Sequence, residues 1–502
     1  MQRDLARLAD TDHDVIVVGA GIYGACIAWD ATLRGLRVAL IERDDFGGAT
    51  SANSLRIIHG GLRYLARGDL PRMRESIRER TAFLRIAPTL VEPLPVMVPT
   101  TGWGSQGRLA LGTAVRLNDL ASLGRNRGLD PGSRLPGGRL LSLEECRDRF
   151  PSFPAGGTNG GALWYDARMC HPERLTLAFV RAAAHHGAGV ANYCRMERVL
   201  AEGGRTRGVA VTDGLTGSAL EIRGRSVVVA AGPWTDTVAP GHPAGPHAFA
   251  LNLVVGRPLA RTAVGIRALT GPGDDPIIGG RRFLFLAPQP ETTLIGTWYA
   301  RVDRPVEALV RLGAAALRAE IRASLPALEL DAADVVRCQW GLLPLKAGFE
   351  PGRADALADR PRLLDHGRIG GLRGMFSVEG VKYTTARHVA EKLVDRLTAE
   401  TGMTTDRCRT AEARIDLAET SHPSLEQRVR HAVGDEMAVR LSDVVLRRVW
   451  SGGPTEPGSE RVAAAARVMG AELGWSDAQR DAELEDVMRQ IRTNDSRSES
   501  LA

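Results

Sequence analysis

The sequence predicts an α/β chain, α+β overall, in three parts: a β-α-β portion first, an antiparallel-sheet portion in the middle and a helical portion last. Three observations carry this. The β-branched run Asp14-Val15-Ile16-Val17-Val18 meets the turn Gly19-Ala20-Gly21-Ile22-Tyr23-Gly24 and then a helix-forming stretch to Leu33. Apolar and polar positions alternate in Phe283-Leu284-Phe285-Leu286-Ala287 and Thr293-Leu294-Ile295-Gly296-Thr297, as in an antiparallel sheet. After Thr405, apolar positions recur at helical spacing.

In the glycine turn, Gly19 permits the tight bend, Gly21 lets the backbone approach a pyrophosphate, and Gly24 lets the helix pack on the strand. The pyrophosphate sits at the helix N-terminus, where unpaired amides favour negative charge. A second strand, Arg37-Val38-Ala39-Leu40-Ile41, ends on Glu42, placed to hydrogen-bond a ribose hydroxyl. This is a Rossmann-like dinucleotide fingerprint, which NAD and FAD share.

The run Ala49-Thr50-Ser51, Arg56 and His59-Gly60-Gly61-Leu62-Arg63-Tyr64 resembles the second flavin-contacting segment of the FAD-dependent glycerol-3-phosphate dehydrogenases, of the D-amino-acid-oxidase-like superfamily. The resemblance continues in order through Trp164-Tyr165-Asp166-Ala167-Arg168, Val227-Val228-Val229-Ala230-Ala231-Gly232-Pro233-Trp234, Gly380-Val381-Lys382-Tyr383-Thr384-Thr385-Ala386-Arg387 and Cys408-Arg409-Thr410-Ala411-Glu412. It implies FAD as cofactor. Its flavin contacts fall on Gly19, Ala20, Gly21, Ile22, Tyr23, Gly24, Glu42, Arg43, Thr50, Ser51, Ser54, Arg56, Ile58, His59, Gly60, Ala231, Gly232, Gly380, Lys382, Tyr383 and Thr384.

The domains expected are a discontinuous FAD-binding domain over 1–100, 161–245 and 351–400, a substrate domain over 101–160 and 246–350, and a helical domain over 401–502. A long helix ends near Pro88, and another runs from Pro172 to His186. The final helices are read at Leu425 to Ala432, Glu436 to Arg448, Val462 to Leu473 and Asp477 to Ile491, with Gly452-Gly453-Pro454 between them and a disordered tail from Asn494.

The net charge of +6 comes almost wholly from arginine, since Lys346, Lys382 and Lys392 are the only lysines. Arginines between Arg67 and Arg85 are interleaved with Glu75 and Glu79, a solvated helix face and no nucleic-acid signal. The six cysteines show no metal-ligand spacing, so no metal is expected. Without an apolar run long enough to span a bilayer, the chain is expected in the cytoplasm. The amphipathic stretch Arg108 to Leu120 falls where the family has a membrane-associating surface, and reads either as an interfacial helix on the inner face of the cell membrane or as a core-facing one.

Catalysis of this type needs a substrate C–H held over the flavin, a proton acceptor and positive potential near the flavin N1. The resemblance places Arg63, Lys382 and Arg360 on a small anionic substrate, with Tyr64 beside them. The family's fourth basic residue, an arginine, is Leu343 in Gly341-Leu342-Leu343-Pro344-Leu345, which replaces bidentate anion recognition by an apolar wall. Trp298 and Trp340 are expected to add bulk to that wall. Lys382 is read as directed at substrate or flavin, and the proton acceptor as His59, with Tyr64 and Lys382 behind it. The expected reaction is oxidation of a phosphorylated, phosphonate or carboxylate hydroxy compound, with quinone or oxygen accepting the electrons. Amine or amino-acid oxidation, and a flavin-binding protein that has lost the activity, are the alternatives.

Overall fold

The computed structural model describes residues 1–65, 68–154, 156–269, 277, 282–349, 356–416, 424–450 and 458–493. Two sheets organise the chain. The first has eight strands, with the path Arg362–Asp365, Met375–Glu379, Ala219–Val229, His13–Val18, Val38–Ile41, Gly189–Ala191. Four of the five pairings on that path are parallel, and Arg362–Asp365 with Met375–Glu379 is antiparallel. Helices cover both faces of such a sheet, so its strands are continuously apolar, and Val15 to Val18 are buried. The helix Ile22–Leu33 is buried along nearly its whole length because the helices Pro172–His185 and Ala386–Thr401 flank it.

The second sheet has nine strands and is antiparallel except where Ala263–Arg267 meets Val91–Thr101. Its far wall is Val335–Pro344, His247–Val255 and Thr293–Arg301. The amphipathic helix Val306–Ser324 covers one face, burying Leu309, Val310, Leu317 and Ile321.

The sequence reading put residues up to 100, and again from 161, in the nucleotide domain. Instead, Val91–Thr101 pairs along its length with Thr158–Met169, and both belong to the second sheet, with Ile57–Ile58 at its edge. Pro93, Pro95 and Pro99 disguise that strand. All three share one parity, so only one side of it loses donors.

The last helices are Leu425–Glu436, Ser459–Leu473 and Asp477–Thr493, around a shared apolar core. The expected helix from Glu436 does not start there: Met437 takes a left-handed conformation that ends the preceding helix, and Val444–Val449 forms a π-helical turn. Its Arg447 and Arg448 reach the fully buried Asp45 of the nucleotide domain, while Glu436 takes Arg174 at 2.7 Å and Arg181 at 3.1 Å. A buried charge missing its partner is strongly destabilising, so these pairs latch the helical domain in place. Gly452-Gly453-Pro454 and the tail from Asn494 lie outside the described residues.

Candidate flavin and substrate site

The glycine turn joins the strand His13–Val18 to the helix Ile22–Leu33. A Cβ on Gly24 would lie 1.8 Å from the Gly19 carbonyl oxygen, and one on Gly19, whose φ is +99°, 2.6 Å from that of Ala230. Only glycine fits either position. Gly21 is the N-cap and supplies no side chain, so the helix N-terminus is open to an anion. Ser51 accepts the Ile22 amide at 3.0 Å and ties the second flavin segment to this turn. Glu42 accepts the amides of Ala20 at 2.7 Å and Asp44 at 3.1 Å. Burial pushes its carboxyl upward against those two bonds. Arg43 lies 4.2 Å over the Trp234 ring, beside Ala231 and Gly232 at the end of the neighbouring strand.

A cavity of about 230 Å³ opens where this turn faces the second sheet. Ile22, Tyr23, Thr50, Ser51, Ser54, Gly232, Leu343, Gly380, Lys382 and Tyr383 line it, all expected site residues. Tyr23 organises its floor: the phenol accepts the amides of Val381 at 3.1 Å and Lys382 at 3.2 Å, and donates to the Lys382 carbonyl at 2.8 Å. A Cβ on Gly380 would lie 2.0 Å from the Tyr23 ring, so the turn can cross it only as glycine. Thr50 accepts the Leu342 amide at 3.2 Å and fastens the opposite wall. Tyr383 reaches away, to Thr176 at 3.0 Å, and Thr384 is buried behind it.

Lys382 links this cavity to a cluster of cations around Tyr64. Its ammonium and Arg63, the latter at 3.2 Å, both donate to the buried Tyr64 phenol oxygen. The guanidinium of Arg72, which the sequence reading missed, sits 5.9 Å from the ring centre. Burial raises the pKa of Tyr64, but the charges of Arg63 and Lys382 outweigh it and the net shift is downward. Burial, with Arg63 and Arg72 nearby, lowers that of Lys382 against the pull of Tyr64.

Several expected residues stand elsewhere. Arg360 is exposed and absent from the cavity wall; its neighbour Asp359 takes Lys346 at 3.1 Å and Arg72 at 3.5 Å. Trp298 is 3 % exposed and packs into the core under the helix Val306–Ser324, because Thr297 and Tyr299, of opposite parity, face the cavity. Trp340 stacks on Phe249 at 5.5 Å instead of lining the cavity. Arg56 is buried with φ +60° and donates to the Cys170 carbonyl at 3.0 Å. Ile58 is a core residue of the second sheet, and Gly60 donates to Asp166 at 2.6 Å. His59 stands edge-on to Tyr64, off the cavity wall. Burial, then the charges of Arg63, Lys382 and Arg80, push its imidazole well below the usual range. On the wall but unanticipated are His247, Asn252 and Glu379.

Residues 14–396 match the FAD dependent oxidoreductase family, and 370–480 the C-terminal domain of alpha-glycerophosphate oxidase. The chain belongs to the FAD-dependent oxidoreductase family. The glycerol-3-phosphate dehydrogenase of Synechocystis is 31% identical over 438 residues, covering 84% of this chain and 77% of its own length. The aerobic glycerol-3-phosphate dehydrogenase of Staphylococcus epidermidis is 26% identical over 463 residues, covering 89% and 78%. The structure of the Bacillus halodurans glycerol-3-phosphate dehydrogenase complexed with FAD superimposes with a TM-score of 0.72 at 22% identity, covering 97% and 96%, and shows the shared fold. The chain is therefore an FAD-dependent oxidoreductase, and the open helix N-terminus, the tight glycines and the cavity over the Gly380 turn fit that cofactor.

Proposed function

We propose that the enzyme oxidises a small anionic hydroxy compound in the manner of a glycerol-3-phosphate dehydrogenase, on a phosphate-, phosphonate- or carboxylate-bearing substrate other than plain glycerol 3-phosphate. Bound FAD supplies the two-electron acceptor. The observation that carries the reading is Lys382, which stands both on the cavity wall and in the Arg63, Arg72 and Tyr64 cluster. Positive charge with a polarised phenol holds an anionic group there by charge-assisted hydrogen bonds. On the opposite wall Leu343 itself offers no polar contact.

Amine oxidation is the competing reading, and Glu379, a carboxylate on the same wall, favours it. Anaerobic bleaching of the flavin by a panel of phosphorylated alcohols, 2-hydroxy acids and amino acids separates the two.

Quinone or oxygen takes the electrons, and a membrane quinone suits one surface feature. The helix Arg108–Ala121 buries only Val115 and Asn118. Around it Trp103 is 97 %, Leu109 80 % and Leu123 77 % exposed. Such a surface suits a bilayer interface, consistent with a protein that works on the inner face of the cell membrane. Among the described residues no helix is long and apolar enough to cross a membrane. Co-sedimentation with vesicles and oxygen-electrode turnover decide the acceptor.

A further inference from the structure

Glu379 ends the strand Met375–Glu379, one residue before the Gly380 turn, and shares a face with Ser377. It accepts from His247 Nε2 at 3.1 Å, and Arg362 lies 3.6 Å away. His242 presents Nε2 at 4.0 Å to the other carboxylate oxygen. Behind it, the Ser377 hydroxyl lies 2.7 Å from both His242 Nδ1 and His366 Nε2. One proton arrangement gives every close contact a donor and an acceptor: His366 Nε2–H donates to Ser377, whose hydroxyl donates to His242 Nδ1, leaving His242 Nε2–H facing the Glu379 carboxylate. His247 Nε2–H also donates to Glu379. That fixes His247 in the tautomer whose Nδ1 carries the lone pair, and among the described residues Nδ1 makes no hydrogen bond. His247 lines the cavity and pairs across the sheet with Pro344, next to Leu343.

Resting on the functional reading above, we propose that His247 is the catalytic proton acceptor and that Glu379 is the residue that positions it. The substrate hydroxyl proton passes to His247 Nδ1. The carbon–oxygen bond becomes a carbonyl as the C–H hydrogen leaves with its electron pair as hydride, for which bound FAD would be the acceptor. The imidazolium keeps its Nε2–H on Glu379 and returns the Nδ1 proton to water when product leaves. An imidazole backed by a carboxylate is held in one orientation, and its charged form is stabilised when it forms. His59 lacks both features: it is off the wall and ringed by cations. Burial raises the carboxyl of Glu379, but His242, His247 and Arg362 outweigh this and hold it at about 2, so it is charged throughout the working range.

The groups facing the pair are Arg362, His242 with Ser377 and His366 behind it, and Lys382 from the next turn. The test uses the FAD-loaded enzyme, a panel of phosphorylated alcohols, 2-hydroxy acids and amino acids as probes, and the variants His247→Asn, His247→Gln and Glu379→Gln. In anaerobic stopped flow, both His247 variants are expected to keep their flavin and slow its reduction by about 100-fold or more. Independently of turnover, nitrogen-15 histidine spectra are expected to show His247 as the Nε2–H tautomer, a preference that Glu379→Gln abolishes. A folded, flavin-loaded His247 variant with rates within threefold of wild type overturns the proposal, as does a His247 spectrum unmoved by Glu379→Gln. If only amino acids bleach the wild type, the substrate reading fails, and the spectra still decide whether Glu379 orients His247.

Discussion

Tyr23→Phe removes one oxygen atom and with it three hydrogen bonds, the 3.1 and 3.2 Å bonds from Val381 and Lys382 and the 2.8 Å bond to the Lys382 carbonyl. The ring under Gly380 stays. Each bond contributes about 1 kcal/mol net, so the turn loses up to about 3 kcal/mol of restraint. The cost falls on the site, since these atoms line the cavity and not the apolar core. At about 1.4 kcal/mol per tenfold, FAD affinity should fall about 10- to 100-fold. Burial raises the pKa of Tyr23, so the phenol stays protonated and the effect should not vary across neutral pH. The assay is titration of flavin-free protein with FAD by fluorescence quenching, alongside a thermal melt. An affinity within threefold of wild type, or outright loss of the fold, would refute the reasoning.

Gly24→Ala places a methyl 1.8 Å from the Gly19 oxygen, so the purified variant should carry little flavin by absorbance. Lys382→Met should raise KM for a phosphorylated substrate about tenfold or more and leave flavin content near wild type, as steady-state kinetics would reveal. Glu379 is held down from 4.5 to about 2 in the fold; its stabilisation, about 3 kcal/mol, is present above pH 4.5 and lost as pH falls toward 2. The stability gap between wild type and Glu379→Gln in urea should therefore narrow over that window. Trp103→Ser with Leu109→Ser should abolish sedimentation with anionic vesicles and leave flavin reduction unchanged.

The nucleotide end was legible because its signals are local: the glycines, the apolar strands and Glu42 all lie within thirty residues. The wall of the second sheet was not. Which side chains of Thr293–Arg301 face the cavity depends on register, and the pairing shifts between Leu251 and Asn252; Trp298 lands in the core for that reason. Arg360 keeps the motif spacing from Lys382, yet it precedes the strand Arg362–Asp365 on its solvent side, and Arg72 arrives from a separate helix to join the cluster. His247 and Glu379 are 132 residues apart and meet only through folding. The change at Leu343 was readable as a departure; the imidazole and carboxylate on the same wall were not.

The central claim is that this cavity oxidises an anionic hydroxy compound with bound FAD. Anaerobic mixing of the purified flavoprotein with phosphorylated alcohols, 2-hydroxy acids and amino acids, followed at the flavin absorbance band, tests it most directly. Bleaching by a phosphate- or carboxylate-bearing alcohol, needing about tenfold more substrate or more in Lys382→Met, is the predicted result. Bleaching by amino acids alone, or by no member of the panel, would contradict it.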